Sequence, residues 1–200
     1  MADRLTGPQR RERIIQAALT LFSQKGFRGT TTREIARHVG VSEATIFKHF
    51  ATKEVLYSAI IDAKAQAEEV LVAAAEAAAA RDDAGVLTAV ASTIVGRVEK
   101  DPAFMRLLLY SALEGHALSE MFFTTQVRRT HQFLAEYLAS RVREGALRPV
   151  DPLLAARGFI GMLVHYLLIH ELFGVPRPSH AGSAEVIALY VEIFLRGLRP

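Results

Sequence analysis

The side chains best suited to a specific chemistry lie close together in the first quarter of the chain. In the segment SEATIFKHF, residues 42–50, Ile46 and Phe50 are four apart and share one face of a helix. Ala44 and Lys48, also four apart, share the opposite face. A helix that carries a small side chain and a cation outward can enter the major groove of a duplex, where base edges offer hydrogen-bond acceptors. We therefore interpret this segment as a DNA-reading helix.

The sequence contains no comparable pattern of catalytic residues. The sequence contains no G-x-S-x-G nucleophile motif, no phosphate-binding glycine loop and no H-E-x-x-H pair. His165 and His170 are five apart, so a helix would place them on different faces, and a two-histidine metal site is not expected there. We expect a protein that is not an enzyme and that has no catalytic residues, no metal site and no cofactor.

Composition limits the class of protein. Two hundred residues, half of them apolar, suit one or two domains with a sizeable core. The absence of cysteine excludes disulfides and is compatible with the cytoplasm, where we expect the protein to act. Residues 1–13 have charge but no apolar segment, so no secretory signal is predicted there. The most apolar stretch, 153–173, carries two histidines, Arg157 and Glu171, which favours a buried helix over a membrane span.

Capping residues mark the helices that would position the reading helix. Thr31 and Glu34 have the spacing of a capping box at the start of a preceding helix. Gly40 ends that helix, because glycine adopts the left-handed conformation without strain. Ser42 caps the reading helix, and Thr52 caps the helix that follows. The pattern predicts two short helices joined by a Gly-Val-Ser turn.

The stretch TTREIARHVGVSEATIFKHFATKEVL, residues 31–56, resembles the helix-turn-helix of the TetR family of bacterial transcription regulators. Paired threonines, Ile-Ala, Gly-Val-Ser, a small residue, an aliphatic, an aromatic, His-Phe and Lys-Glu all occur at that family's spacings. The stretch RRERIIQAALTLFSQKGFRG, residues 10–29, resembles the family's first helix and its glycine exit. One position departs from the pattern, since Phe47 stands where the family usually has tyrosine, and the missing hydroxyl removes one phosphate hydrogen bond.

The resemblance implies a set of DNA contacts. The residues expected at base edges are Arg33, Glu43, Ala44, Phe47 and Lys48. Those expected at phosphates are Thr31, Thr32, Ser42, Thr45, His49 and Lys53. Arg33 would donate twice to guanine, and Glu43 would accept from a cytosine amino group. Alternatives remain, because Thr31 and Ser42 are needed as caps in any case and Phe47 could be a core residue.

The charge distribution agrees with a nucleic-acid partner. The net charge is only +3, but residues 1–53 hold ten Lys and Arg against four Asp and Glu, whereas residues 54–200 hold fourteen against seventeen. Basic N-terminal segments are common for other reasons. The coincidence with a helix-turn-helix favours DNA, because neutralising phosphates supplies most of the non-specific affinity.

Helical periodicity continues through the rest of the chain. Besides the two short helices, we predict helices at roughly 9–25, 52–81, 85–100, 102–114, 117–144, 152–173 and 183–198. Asp101 and Asp151 each precede a proline and would cap the helices that follow. The predicted fold is all-α with about nine helices. An N-terminal three-helix DNA-binding domain would span residues 1–53, and a helical domain for effector binding and dimerisation would span residues 54–200.

The last two helices carry the features of an interface. One has small residues three apart, and the other has a broad apolar stripe. The resemblance implies that these helices form a four-helix dimer interface, although both features could instead serve the chain's own core. The predicted interface residues are Ala155, Gly158, Gly161, Ile187, Tyr190, Val191, Phe194 and Leu198. A two-fold dimer would read a palindrome with half-sites roughly 10 base pairs apart or slightly more.

The middle helices are dense in aromatic and apolar residues, with a few polar groups among them. The predicted effector pocket comprises Met105, Leu109, His116, Phe122, Phe159, Met162, His165 and Tyr166. Individual aromatics at helical spacing belong to a core more often than to a pocket, so this prediction concerns a region.

The resemblance implies a regulatory mechanism in which a small, mostly apolar effector shifts the fourth helix and releases DNA, with repression the commoner mode. The alternative function is a helical ligand carrier or partner-binding protein that does not regulate DNA. Binding to a duplex with a steep salt dependence would separate the two.

Overall fold

The computed structural model describes residues 6–64, 67–177 and 182–200, and within these ranges all regular structure is helical. The α-helices are α1 (Gly7–Lys25), α2 (Thr32–Val39), α3 (Glu43–His49), α4 (Lys53–Lys64), α5 (Ala67–Ala79), α6 (Asp83–Lys100), α7 (Ala103–Leu113), α8 (Ala117–Phe122), α9 (Arg128–Arg143), α10 (Pro152–Leu167) and α11 (Ser183–Leu198). Two π-helical turns follow α8 and α10, at Phe123–Val127 and Leu168–Leu172. The prediction of an all-α fold is confirmed.

Most predicted helices occur at the predicted positions. The run 117–143 is helical throughout, because the π turn joins α8 to α9 without a break. Asp151 caps α10 as predicted, since its Oδ1 accepts from the backbone of Leu153 and Leu154, both at 2.9 Å. Asp101 ends α6, where its N–H donates to the carbonyl of Arg97, and its predicted cap on the next helix stays a prediction. The fourth helix is predicted to run without a break over residues 52–81. Residues 65 and 66, which would join α4 to α5, lie outside the described residues, so this continuity stays a prediction.

Packing divides the chain into two compact units. Unit 1 comprises Met1–Ala65 and Ala103–Phe122, and unit 2 comprises Gln66–Pro102 and Phe123–Pro200. In unit 1, α7 packs against α1, although about 80 residues separate them along the chain. The predicted functional boundary between residues 53 and 54 stays a prediction, because compact packing does not test function.

The core of unit 1 fixes the short helices α2 and α3. Phe22 of α1 and Tyr57 of α4 meet edge to face with their ring centroids 4.9 Å apart. Ile35 of α2 and Ile46 of α3 are fully or almost fully buried in the same cluster. Helices of seven or eight residues are marginal in isolation, so this apolar cluster supplies most of their stability.

In unit 2, α10 packs on α9 while α6 packs on α5 and α11. An ionic cluster ties α6 to α9. The Asp83 carboxylate accepts from the Tyr137 hydroxyl at 2.6 Å and from Arg141 Nε at 2.8 Å. Burial, with the adjacent Asp83 carboxylate, raises the pKa of Tyr137. The phenol therefore remains a hydrogen-bond donor at neutral pH.

One helix in the described part of the chain, Pro152–Leu172, is long and apolar enough to cross a membrane by length and composition. A third of its most apolar window is buried within the protein. Core helices pass the same test. The predicted burial of this helix therefore holds on one side, and the other side is exposed.

Candidate nucleic-acid interface

A capping box begins α2, as predicted. Glu34 N–H donates to Thr31 Oγ1 at 3.2 Å, and Thr31 N–H donates to Glu34 Oε2 at 2.9 Å. Lys25 from the end of α1 adds a hydrogen bond to Glu34 Oε1 at 2.9 Å. The Lys25 contact, together with the bonds from Thr31, lowers the pKa of Glu34 to about 2. The carboxylate therefore stays ionised, and the cap stays formed, throughout the neutral range.

The turn from α2 to α3 also follows the prediction. Gly40 has φ +77° and ψ 36°, the left-handed conformation that ends a helix. Ser42 Oγ accepts from Thr45 N–H at 3.2 Å and caps α3. Thr52 Oγ1 accepts from Val55 N–H, also at 3.2 Å, at the start of α4. Gly40 and Ser42 therefore set where α2 ends and α3 begins.

The two faces of α3 are as the sequence indicates. Ile46 is 1% exposed and Phe50 is 2% exposed, both within the unit 1 core. Ala44 and Lys48 are exposed, and Phe47 is 47% exposed, so the alternative of Phe47 as a core residue is wrong. We call Ala44, Phe47 and Lys48 the reading face.

Several hydroxyls predicted to hold phosphates are engaged within the protein. Thr31 Oγ1 contacts Glu34 Oε2 at 3.1 Å, and Thr32 Oγ1 donates to Glu43 Oε1 at 2.6 Å. Ser42 and Thr45 share a hydroxyl hydrogen bond of 2.9 Å in which either oxygen can donate, so one of these two protons is left for another acceptor. The hydroxyls of Thr31 and Thr32 thus serve mainly to position α2 and α3. His49 is half-buried, with its ring centroid 6.4 Å from that of Phe50.

Glu43, which is predicted to contact cytosine, makes contacts within the protein. Both of its oxygens face protein groups, because Oε1 accepts from Thr32 and Oε2 lies 3.7 Å from Arg33 Nε. A cytosine amino group would have to share or displace these contacts. Arg33 itself is 87% exposed, which leaves its terminal nitrogens accessible to a duplex.

The prediction that Lys53 holds a phosphate is not supported by its placement. Its Nζ donates to the carbonyls of Phe27 and Thr30, at 2.8 and 2.9 Å, and lies 4.1 Å from the centroid of the Phe27 ring. Burial lowers the pKa of Lys53. The ammonium therefore fastens the start of α4 to the turn between α1 and α2.

Glu114 also binds the turn between α1 and α2, a contact that the sequence did not predict. Its Oε2 accepts from Phe27 N–H at 3.0 Å, and its Oε1 accepts from Arg28 N–H at 3.3 Å. The Tyr110 hydroxyl donates to the carbonyl of Gln24 at 3.2 Å. Since more than 80 residues separate these partners, no local pattern could have revealed the contact. The end of α7 thus holds the turn that precedes α2.

Comparison with known proteins identifies the family. Residues 14–60 match the family model of bacterial regulatory proteins of the tetR family, and residues 85–198 match that of the AefR-like transcriptional repressor C-terminal domain. The chain belongs to the TetR family. It is similar to the regulator RutR of Escherichia coli K12, with 31% identity over 146 residues, which cover 72% of this chain and 66% of RutR.

Two further comparisons extend over nearly the whole chain. The uncharacterised HTH-type regulator YvkB of Bacillus subtilis is 24% identical over 94% of this chain and 96% of its own. The crystal structure of the TetR-family regulator PfmR from Thermus thermophilus superposes with a TM-score of 0.72 at 25% identity, covering 94% of this chain and all of PfmR. The protein is therefore a transcriptional regulator with a DNA-binding helix-turn-helix.

In this TetR-family regulator, the predicted interface residues differ in how far they are exposed. Ile187, Val191 and Leu198 are each only 5% exposed within their own chain, so they have little surface to give to a partner, and their part in an interface stays a prediction. Tyr190 and Phe194 are half-buried, as is Ala155. Ile187, Val191 and Leu198 face inward because α11 buries one side of its apolar stripe against α6 and α10.

The exposed side of these two helices is apolar as well. We define the outer α10–α11 face by its exposed members, which are Leu154, Gly158, Gly161 and Val164 on α10 and Leu189 and Ile193 on α11. An open groove of about 550 Å³ lies beside it, lined by residues that include Ala155, Gly158, Met162, Phe194 and Leu198. Leu189 and Ile193, which are 51% and 53% exposed, are absent from the predicted interface.

The structure divides the predicted effector pocket between the two units. Met105, Leu109, His116 and Phe122 belong to unit 1, and Phe159, Met162, His165 and Tyr166 belong to unit 2. In unit 1, the ring of His116 packs 4.4 Å from that of Phe27 and 5.2 Å from that of Tyr57. This placement gives His116 a part in the core beneath the helix-turn-helix.

In unit 2, Tyr166 is 5% exposed, and its hydroxyl has no hydrogen-bond partner among the residues that the structure describes. Phe159 is fully buried against the ring of Phe194, whereas His165 is exposed. His131, which is absent from the predicted pocket, is a second buried polar group. Its pKa is lowered chiefly by burial and also by the charge of Arg157. Unit 2 therefore contains buried polar groups within an apolar surrounding.

Proposed function

We propose that this protein is a repressor that binds a palindromic operator as a homodimer and releases it when a small, mostly apolar effector binds. The observation that carries the proposal is the reading face. Ala44, Phe47 and Lys48 are exposed on a helix whose other side is locked into the core by Ile46 and Phe50. An exposed recognition helix held rigidly by capping and packing is the element that enters the major groove.

The outer α10–α11 face supports the homodimer. Its two glycines allow close approach of another backbone, since no atom lies within 4 Å of the Cβ position at either Gly158 or Gly161. Exposed aliphatic residues surround them. We assign this face to a second copy of the chain, which would cover it and present two reading faces to one duplex. The operator would then be a palindrome with half-sites about one helical turn apart or slightly more.

Repression and a cytoplasmic location are parts of the same proposal. The family model that matches residues 85–198 is that of a transcriptional repressor domain, which supports repression. Family membership favours a regulator over the alternative of a helical carrier. A regulator that reads bacterial DNA acts in the cytoplasm.

We test DNA binding by selecting bound duplexes from a random pool with the parent chain and with Arg33→Ala and Lys48→Ala variants. The parent should enrich one palindrome, and its affinity should fall steeply as salt rises. Each variant should bind that palindrome about tenfold more weakly or worse and should lose preference at one base pair per half-site. Lys100→Ala, which removes an exposed cation from unit 2, is the control and should behave as the parent. Variants that keep the parent's preference would contradict the assigned contacts.

We infer that the effector binds in unit 2 beside the Tyr166 hydroxyl. Among the residues that the structure describes, the buried Tyr166 hydroxyl has no hydrogen-bond partner. An unpaired buried hydroxyl costs about 1–3 kcal/mol, so a ligand atom that bonds to it recovers stability. The surroundings combine apolar and cationic groups. The Tyr166 ring centroid lies 4.7 Å from that of His170, 6.5 Å from that of Tyr190 and 5.7 Å from Arg177 Cζ.

An effector found by screening for compounds that raise the melting temperature should also weaken operator binding, because it must prefer the conformer that does not bind DNA. A coupling of about 1–3 kcal/mol corresponds to a loss of roughly 5- to 150-fold in operator affinity. In a Tyr166→Phe variant the same compound should give a smaller rise in melting temperature and less release. Stabilisation without any loss of DNA affinity would count against the coupling.

A further inference from the structure

A carboxylate lies between the start of α2 and the helix that carries the reading face. Glu43 Oε1 accepts from the Thr32 hydroxyl at 2.6 Å, and Glu43 Oε2 lies 3.7 Å from Arg33 Nε. The Glu43 side chain is 36% exposed, whereas that of Arg33 is 87% exposed. Glu43 therefore links the first turns of α2 and α3 on the side of the surface that carries Arg33.

The Glu43 carboxylate places a negative charge on the surface that is proposed to face DNA. It repels phosphate and so weakens the non-specific part of DNA binding, which depends on neutralising phosphates with cations. Its contacts also make it a poor base reader. One oxygen is held by a short hydrogen bond from Thr32, and the other faces a cation. A direct contact with cytosine would require rearrangement of at least one of these.

The contact with Arg33 leaves that residue able to read a base. A guanidinium has five N–H donors, and Nε carries one of them. The four donors on the terminal nitrogens include the fork that matches O6 and N7 of guanine. An approach through Nε thus restrains the Arg33 side chain without engaging the part that would meet guanine.

We propose that Glu43 is a positioning residue that influences base preference only through Arg33. Thr32 fixes the Glu43 carboxylate through a hydrogen bond, and this carboxylate in turn holds the exposed Arg33 guanidinium close to the start of α3. It also competes with phosphates for that guanidinium, whereas guanine, which accepts two hydrogen bonds at once, competes better. Discrimination at one base pair in each half-site therefore depends on Glu43. This inference rests on the proposed DNA-binding function.

Competition titrations with the selected palindrome test it, using the full chain and its Glu43→Ala, Glu43→Gln and Arg33→Ala variants. A bidentate contact discriminates by about 5- to 150-fold, so the parent should reject a changed guanine by that factor. Glu43→Ala should lose most of this factor at the base pair that Arg33→Ala affects, and it should bind unrelated duplex more tightly because a negative charge is gone. Glu43→Gln keeps an acceptor for Thr32 but not the charge, and its loss should be intermediate.

The double variant with Arg33→Ala and Glu43→Ala separates positioning from direct contact. If Glu43 acts through Arg33, its removal changes the base preference of Arg33→Ala no further. A change of preference at a different base pair, or uniformly weaker binding to all duplexes by both Glu43 variants, would overturn the inference and leave the proposed function standing. A parent chain that enriches no duplex would overturn the proposed function and this inference together.

Discussion

An Ile193→Glu variant is expected to be a monomer in solution and to bind the palindromic operator at least about 100-fold more weakly than the parent. Ile193 is 53% exposed at the outer α10–α11 face. In a two-fold dimer each substitution occurs twice, so the variant would bury two uncompensated carboxylates in one interface. A monomer then binds one half-site at a time and forfeits the gain of about 10²- to 10⁴-fold that linked binding sites provide.

Sedimentation equilibrium measures the oligomeric state of the Ile193→Glu variant, and fluorescence anisotropy measures its affinity for the operator. Affinity for a duplex with a single half-site should change little, because the reading face is untouched. Val72→Glu is the matched control, since Val72 is 71% exposed on α5 of the same unit but lies outside the outer α10–α11 face. It should remain dimeric and bind the palindrome as the parent does. A dimeric Ile193→Glu variant with unchanged operator affinity would remove this face from the interface.

The features that the sequence predicted well depend on local interactions. Thr31 and Glu34 form the predicted capping box because both partners lie within one helical turn. The inward side of α3, with Ile46 and Phe50, follows from the 3.6-residue period alone. Such features need no knowledge of the rest of the fold.

The features that the sequence did not predict depend on partners distant along the chain. The motif assigns Lys53 to phosphate, but the carbonyls of Phe27 and Thr30 accept its donors. On α11, periodicity identifies an apolar stripe without showing which side packs within the chain. Val191 faces inward, and Ile193, which is absent from the predicted interface, faces outward. Packing against α6 and α10 decides between the two sides, and a single sequence does not encode that choice locally.

A Gly26→Ala variant is expected to lower the free energy of unfolding by about 2–5 kcal/mol and to weaken operator binding. Gly26 ends α1 with φ +72° and ψ 177°, a conformation that is essentially restricted to glycine and costs other residues about 1–3 kcal/mol. A Cβ atom there would lie 2.3 Å from Glu114 Oε1. The Glu114 carboxylate would have to move, and its hydrogen bonds to Phe27 and Arg28 would weaken. Hydrogen bonds to a charged group contribute about 1.5–3 kcal/mol.

Gly40→Ala separates the loss of the Glu114 contact from backbone strain. Gly40 also has positive φ, at +77°, but no atom lies within 4 Å of its Cβ position, so its substitution should cost only about 1–2 kcal/mol. Denaturant unfolding of both variants, and of Gly26→Ala combined with Glu114→Ala, provides the comparison. If displacement of Glu114 is responsible, the double variant is less destabilised than the sum of its single variants by more than about 0.5 kcal/mol. Additive effects would mean that backbone strain alone explains the requirement for glycine at position 26.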